Sequence, residues 1–228
     1  MNFNDEELNR LEGPDGFRLR GLDMTRLETF MDAAFAFSIT MLVISLDKMP
    51  GNYSELMVSL KGIPAFAASF ALMMAFWISH RKWSRYYGME DGVSIFLSLM
   101  LIFVLLVYIY PLKLVLSAFF SWISGGWLPS QFVLRARGEL VGLFVIYGFG
   151  AFAMGGLMGL LYIRARKAKE RLRLNTLELI RTNEEIVGWF VMAATGAVSA
   201  LFALLMPERI AIYAGFVYSW LAIVAPYI

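Results

Sequence analysis

The chain has 228 residues, of which 59% are hydrophobic and 15% aromatic. Soluble domains use about 45–50% apolar residues, so this composition predicts an integral membrane protein. The formal net charge of only +2, the lack of cysteine and the single histidine argue against nucleic-acid binding, disulfides and metal sites built from thiolates or paired imidazoles. We expect no cofactor and no resident metal.

The chain begins with a polar leader. Residues 1–23 are rich in acidic side chains and have no apolar core, which is unlike a secretory signal peptide. We therefore predict a cytoplasmic leader over residues 1–23, followed by a single membrane domain over residues 24–228.

Six apolar runs follow the leader, over residues 26–47, 55–79, 91–113, 139–163, 186–206 and 209–226. Each is near the roughly 20 residues that a helix needs to cross the hydrocarbon core of a bilayer. The sequence thus predicts an all-α protein with six transmembrane helices. Pro64 is expected to bend the second span or mark its true start, and Pro111 to end the third. We expect residues 113–138 to form an interfacial or re-entrant loop.

The basic residues indicate an orientation. Most of them lie before the first span, after the second and after the fourth, which by the positive-inside rule places both termini in the cytoplasm. The run from Arg164 to Arg173 is consistent either with a solvated extension of the fourth helix or with contact to anionic lipid.

Motifs for catalysis are lacking. The chain has no phosphate-binding Gly-Lys-Ser/Thr loop and no Gly-x-Ser-x-Gly elbow, so we do not expect an enzyme. The glycines of Gly148–Gly150 and Gly155–Gly159 lie inside the fourth span, where small residues allow close helix packing. The Thr-Val-Gly-Tyr-Gly filter of potassium channels is also missing.

The first span carries one distinctive stripe. At about 100° per residue, Phe37, Thr40, Met41 and Ile44 share one side of the helix and Asp32 lies on the opposite side. Around a symmetry axis, the three apolar side chains would form hydrophobic rings that gate by dewetting, and Thr40 would add a ring of hydroxyls. The same stripe is consistent with an ordinary lipid-facing or helix-packing surface, and periodicity does not decide between the two.

Asp32 is a carboxylate near the start of the first span. A carboxylate in a membrane helix is costly unless it is paired or lines a water-filled route. We expect Asp32 to point into the subunit, where Arg26, His80 or Trp77 could satisfy it. His80 could instead lie at the membrane interface without a specific partner.

Two short motifs carry a resemblance to a known family: Arg26-x-x-x-Phe30-x-Asp32 with Ala36 and Thr40 on the first span, and Trp77-x-x-His80 at the end of the second. They resemble the transmembrane protein 175 family of endolysosomal potassium channels, and specifically its single-repeat prokaryotic members. Family members carry Arg-x-x-x-Phe-Ser-Asp, and Met31 replaces the serine here.

The resemblance implies a potassium-permeable cation channel in a prokaryotic inner or plasma membrane, in contact with lipid and assembled as a homotetramer. The first helix of each subunit would line the pore, with a hydrophobic constriction in place of a carbonyl filter. On this resemblance Phe37 would occupy the position of the usual isoleucine or leucine, and Met41 and Ile44 would form the next layers. Thr40 would be the selectivity residue, near which K⁺ passes transiently. The structural network of the first helix would comprise Arg26, Phe30, Asp32, Trp77 and His80.

The sequence leaves two other functional classes open. A secondary or proton-coupled cation transporter would commonly place ionisable groups near the membrane midplane. The third to sixth spans have no carboxylate in their middles, which disfavours a transporter. A membrane scaffold would conduct no ions and would tolerate polar substitutions along the stripe.

Overall fold

The computed structural model describes residues 8, 10–13, 15–44, 50–130 and 137–220, and all regular elements within these ranges are helices. They are α1 (Arg26–Ile44), α2 (Tyr53–Lys61), α3 (Ile63–Tyr87), α4 (Gly92–Ile123), α5 (Arg137–Lys167), α6 (Thr176–Leu205), α7 (Glu208–Ala211) and a 3₁₀ segment (Ile212–Trp220). Among the described helices, α3, α4, α5 and α6 are long and apolar enough to cross a membrane. The all-α membrane class is therefore confirmed, while the count of six spans and the cytoplasmic termini stay predictions.

The two prolines behave differently. The second predicted span divides at Gly62 into α2 and α3, and Pro64 lies in the first turn of α3. The prediction that Pro64 marks the true start of the helix is thus confirmed. Proline is tolerated there because the backbone N–H groups of the first turn have no partner within the helix. Pro111 does not end the third span, since α4 continues through it to Ile123. Prolines are tolerated inside membrane helices where neighbouring helices and side chains satisfy the freed backbone groups.

The prediction of a loop over residues 113–138 is wrong for the first part of that range. Lys113 to Ile123 extend α4, and the chain then turns at Gly125 and Gly126, which have φ angles of 63° and 85°. Backbone in this left-handed region strongly favours glycine. Trp127 follows the turn, and the centre of its ring lies 4.8 Å from the Lys61 Nζ atom at the end of α2. Residues 131–136 of the predicted loop lie outside the described residues.

Helix ends also differ from the apolar runs. The fifth predicted span begins at residue 186, whereas α6 begins at Thr176. Its start is set by a capping box, in which the Asn175 side chain accepts from the Glu178 N–H (2.8 Å) and Glu178 accepts from the Asn175 N–H (2.9 Å). Likewise α5 runs on to Lys167, so the basic run begins as a helical extension. The ends of the first and sixth predicted spans, residues 45–47 and 221–226, lie outside the described residues.

The core lies where α1, α3, α4 and α5 meet. Met31 and Phe35 of α1 are each 2% exposed and join a buried cluster with Trp83 and Met158. The Trp83 indole N–H donates to the backbone carbonyl of Leu161 (3.0 Å), which ties α3 to α5. The packing of Met31 and Phe35 holds one face of α1 against the bundle, while the other face of α1 stays uncovered.

Helices α5 and α6 form the most extensive pairing among the described elements. Their backbones come close together at Gly148 and Gly196: a Cβ atom on Gly196 would lie 2.6 Å from the Gly148 carbonyl oxygen. The expectation that the glycines of the fourth span serve helix packing is confirmed for Gly148, Gly150, Gly155 and Gly159. Gly156 has open space beside it.

Candidate functional site

The candidate site is built on α1, whose start is fixed by a local pair of side chains. The Thr25 N–H donates to the Glu28 carboxylate (3.0 Å), and the Glu28 N–H donates to the Thr25 hydroxyl (3.1 Å). This reciprocal pair satisfies backbone donors that the first turn would otherwise leave free. Helix α1 therefore begins at Arg26.

The two faces of α1 differ sharply in burial. The buried face carries Met31, Phe35, Ser38 and Leu42, each no more than 2% exposed. On the uncovered face, Phe37 is 57% exposed, and Ala33, Ala36 and Thr40 are exposed as well. The uncovered face thus combines small residues, one large aromatic ring and one hydroxyl.

The predicted constriction residues are only partly brought together. Phe37 and Thr40 share the uncovered face. Met41 is half-buried and packs against the core, so it lies at the edge of that face. Ile44 is the last residue of α1, and its side chain is not among those described. The Thr40 hydroxyl donates to the Ala36 carbonyl (3.0 Å), one turn earlier.

Asp32 finds a partner on α3. Its Oδ1 atom accepts a hydrogen bond from the Trp77 indole nitrogen at 2.8 Å, and the guanidinium of Arg81 lies 5.5 Å from the centre of the Trp77 ring. Trp77, one of the three partners expected for Asp32, is thus confirmed, although Asp32 is exposed rather than enclosed in the subunit. At about 100° per residue it flanks the buried face, between the protein core and the uncovered side.

His80 has a different partner from the one considered in the sequence. Its Nε2 atom lies 2.9 Å from the Ser98 hydroxyl of α4, and the residue is 3% exposed. It therefore joins α3 to α4. Asp32, Trp77 and His80 nevertheless line one cavity of about 120 Å³ beside the start of α1.

Arg26 and Phe30, the other two members of the predicted network, are exposed. At about 100° per residue both lie within about 20° of Phe37 on α1. The structure thus places them on the uncovered face and the remaining three network residues at the α1–α3–α4 junction.

Sequence reasoning missed two elements of this region. Ser98 gave no signal, because a serine in an apolar span is usually bonded to its own helix. Arg18 and Arg20 of the leader, which pair with Glu178 of α6, are 160 and 158 residues from it in sequence. Within the described residues, no group of three or more His, Cys, Asp and Glu side chains could hold a metal ion.

Three comparisons with known proteins identify similar channels. The family profile of the endosomal/lysosomal potassium channel TMEM175 matches residues 26–111, from the start of α1 into α4. A protein of Marivirga tractuosa named "Potassium channel" is 38% identical over 211 residues, which are 89% of this chain and 85% of that protein. The crystal structure of a variant of the potassium channel MtTMEM175, in complex with a nanobody–MBP fusion protein, superposes with a TM-score of 0.83 at 35% identity. The match covers 94% of this chain and 95% of that one.

Proposed function

The chain belongs to the TMEM175 family of potassium channels, and on that premise we propose that α1 of each subunit lines the pore of a homotetramer. The protein is a multi-pass membrane protein and a potassium channel rather than an enzyme. Its relatives match almost the whole chain. What we propose is which helix and which side chains form the pore.

The observation that carries the proposal is the uncovered face of α1. The opposite face packs against α3 and α4, while Phe37 and Thr40 have no such cover within the described protomer. Four copies of this face around an axis would enclose a ring of phenylalanines with threonine hydroxyls one turn further along. A hydrophobic ring of this kind blocks ions until it is transiently wetted.

We assign the constriction to Phe37, with Met41 and Ile44 as the next layers. The half-buried position of Met41 supports a lesser contribution from that layer. A phenylalanine ring is bulkier than the isoleucine or leucine usual at this position in the family. The proposed constriction is correspondingly narrower.

Thr40 is the proposed contact for K⁺. Its hydroxyl hydrogen is donated to the Ala36 carbonyl, which leaves the oxygen lone pairs free to accept a cation. A ring of such oxygens replaces part of a hydration shell more readily for the weakly hydrated K⁺ than for Na⁺. This predicts a modest potassium preference.

The remaining proposed features support α1. The proposed network comprises Arg26, Phe30, Asp32, Trp77 and His80. Within the protomer, the Asp32–Trp77 hydrogen bond helps to hold α1 against α3, whereas Arg26 and Phe30 on the uncovered face would face the neighbouring subunits. We further propose a leader over residues 1–23, a six-helix channel domain over residues 24–228, cytoplasmic termini and a prokaryotic inner or plasma membrane in which lipid surrounds the tetramer.

A potassium-gradient flux assay on the purified protein in liposomes tests the function directly, with sodium replacement as the control. We expect potassium efflux and single-channel current steps in planar bilayers. Saturable uptake that is stimulated by counter-flow, without current steps, would indicate the alternative of a secondary or proton-coupled transporter.

A further inference from the structure

The segment from Asp15 to Asp23, which we call the strap, lies directly before α1 and is fixed to the end of α3. The N–H groups of Arg20 and Gly21 donate to the Arg85 carbonyl (3.1 and 3.0 Å), and the Arg85 side chain donates back to the Gly21 carbonyl (2.7 Å). A Cβ atom on Gly21 would lie only 2.6 Å from the Ser84 carbonyl oxygen. The strap backbone therefore has little freedom to shift at this point.

One carboxylate holds two arginines of the strap. The Glu178 Oε2 atom lies 2.9 Å from the terminal nitrogens of both Arg18 and Arg20. Its Oε1 atom accepts from the Arg18 N–H (2.9 Å) and from Arg20 Nη1 (3.0 Å). The Glu178 and Arg20 side chains are fully buried, and that of Arg18 is 7% exposed. Burial strengthens such charge-assisted bonds and makes an unpaired partner costly.

This clamp of Arg18, Arg20 and Glu178 connects distant parts of the chain. Arg20 also donates to the Leu172 carbonyl (2.8 Å), in the connection between α5 and α6. The strap thereby joins the last turn of α3 to the first turn of α6. Neither arginine nor Glu178 lies within residues 26–111, the range that matches the family profile.

The strap is closely tethered to α1. Only residues 22–25 separate the anchored Gly21 from the first residue of α1, and an extended chain spans at most about 3.3–3.6 Å per residue. Thr25, the last of these residues, is itself bonded to Glu28 of α1. A displacement of the strap is therefore passed on to the first turn of α1.

We propose that Glu178 is a positioning residue of the channel, which holds Arg18 and Arg20 and so fixes the register of α1 at its entrance. The proposal rests on the proposed function, since it takes α1 as the pore helix. Loosening the strap lets α1 and its Phe37 ring move, and a looser ring wets more readily.

The test compares Glu178→Gln with Glu184→Gln, a control on the same helix whose carboxylate is 47% exposed and lies 4.0 Å from Arg181. Trypsin cleavage after Arg18 or Arg20 reports release of the strap, and planar-bilayer recordings report open probability. For Glu178→Gln we expect cleavage to accelerate by about tenfold. Open probability should rise by about fivefold, the lower end of typical coupling between linked sites. Unitary conductance should stay unchanged, and Glu184→Gln should match the wild type.

A crosslink provides the rescue. The chain contains no cysteine, and the rings of Phe17 in the strap and Tyr86 in α3 stack with centroids 4.0 Å apart. Joining Phe17→Cys to Tyr86→Cys with a short thiol crosslinker should return the Glu178→Gln channel to the wild-type open probability. If Glu178→Gln fails to fold, Arg18→Gln loosens the same clamp from the strap side, and it should accelerate cleavage after Arg20 and raise the open probability in the same way.

The outcomes separate this inference from the proposed function. Faster strap cleavage with wild-type open probability, in a channel that still conducts, would overturn the positioning role alone. Wild-type protein that passes no potassium current would overturn the proposed function instead.

Discussion

Phe35 and Phe37 lie two residues apart on α1 in opposite surroundings. Phe35 is 2% exposed in the core, and Phe37 is 57% exposed on the uncovered face. Truncating a buried phenylalanine to alanine costs about 3–5 kcal/mol of stability. Substitutions at these two positions therefore test core packing and the proposed gating separately within one helix.

We predict that Phe37→Ala raises basal potassium flux while the thermal unfolding temperature stays close to that of the wild type. Phe35→Ala, as the matched control, should mainly lower the unfolding temperature. Proteoliposome flux and thermal unfolding in detergent measure the two effects. Unchanged flux in a well-folded Phe37→Ala tetramer would remove this residue from the pore.

Thr40 carries the second prediction. Thr40→Val keeps the shape of the side chain and removes the only hydroxyl that the stripe carries between the Phe37 and Ile44 layers. The potassium-over-sodium permeability ratio should fall while conduction persists, and Thr40→Ser should retain the ratio. Reversal potentials under bi-ionic conditions give the answer. A wild-type ratio in the valine variant would leave Thr40 as a residue that only bonds to the Ala36 carbonyl.

At the residue scale, periodicity located the stripe but not its edges. A rotation of about 100° per residue grouped Met41 with Phe37 and Thr40, yet Met41 is half-buried. The residue lies about 40° from Phe37 toward the buried face, and periodicity does not say where packing stops. Likewise, three partners were possible for Asp32 on sequence alone, and only the crossing of α1 and α3 selects Trp77.

Among the helices, the α5–α6 crossing depends on the absence of side chains. A Cβ atom on Gly196 would lie 2.6 Å from the Gly148 carbonyl oxygen and 2.7 Å from the Phe152 backbone nitrogen, both of which belong to the α5 backbone. Backbone atoms yield less easily than a flexible side chain, so the two helices would have to separate.

We predict that Gly196→Ala destabilises the protein by about 1–3 kcal/mol through this overpacking. Gly156→Ala is the control, because nothing lies within 4 Å of its Cβ position. It should be neutral or stabilising by up to about 1 kcal/mol, as expected for glycine replaced by alanine in a helix. Thermal unfolding in detergent compares the two. Equal stability of both variants would contradict the close crossing.

Element boundaries were less predictable than element existence. Helix α4 has 32 residues and is about 48 Å long, well beyond a hydrocarbon core of roughly 30 Å. Apolar runs mark the membrane part of a helix, whereas caps such as Asn175 mark its true ends. The prediction that Pro111 ends the third span was wrong because proline is tolerated inside a membrane helix where neighbouring helices satisfy the freed backbone groups.

For the molecule as a whole, we predict four copies of the chain in the purified channel. Four copies of α1 are what the proposed ring of Phe37 side chains requires. Native mass spectrometry in detergent measures the stoichiometry. A monomer or dimer that conducts potassium with full activity would contradict the proposed pore.

The connection between the strap and α6 could not be predicted from the sequence. The leader contains three arginines, and the chain contains 18 acidic residues with which they could pair. Composition does not choose among such distant pairs. The choice of Glu178 follows from where α6 begins relative to the end of α3, which is a property of the assembled fold.

The central claim, that the uncovered face of α1 lines the pore, is tested most directly by cysteine accessibility to silver ions, which are similar in size to K⁺. The wild-type chain has no cysteine and gives the baseline. Thr40→Cys lies on the uncovered face, and Ser38→Cys, at a position that is 0% exposed, is the control on the same helix. We predict rapid, irreversible block of the potassium current in Thr40→Cys and wild-type behaviour in Ser38→Cys. Full current in Thr40→Cys under silver, in a channel that conducts normally beforehand, would contradict the account.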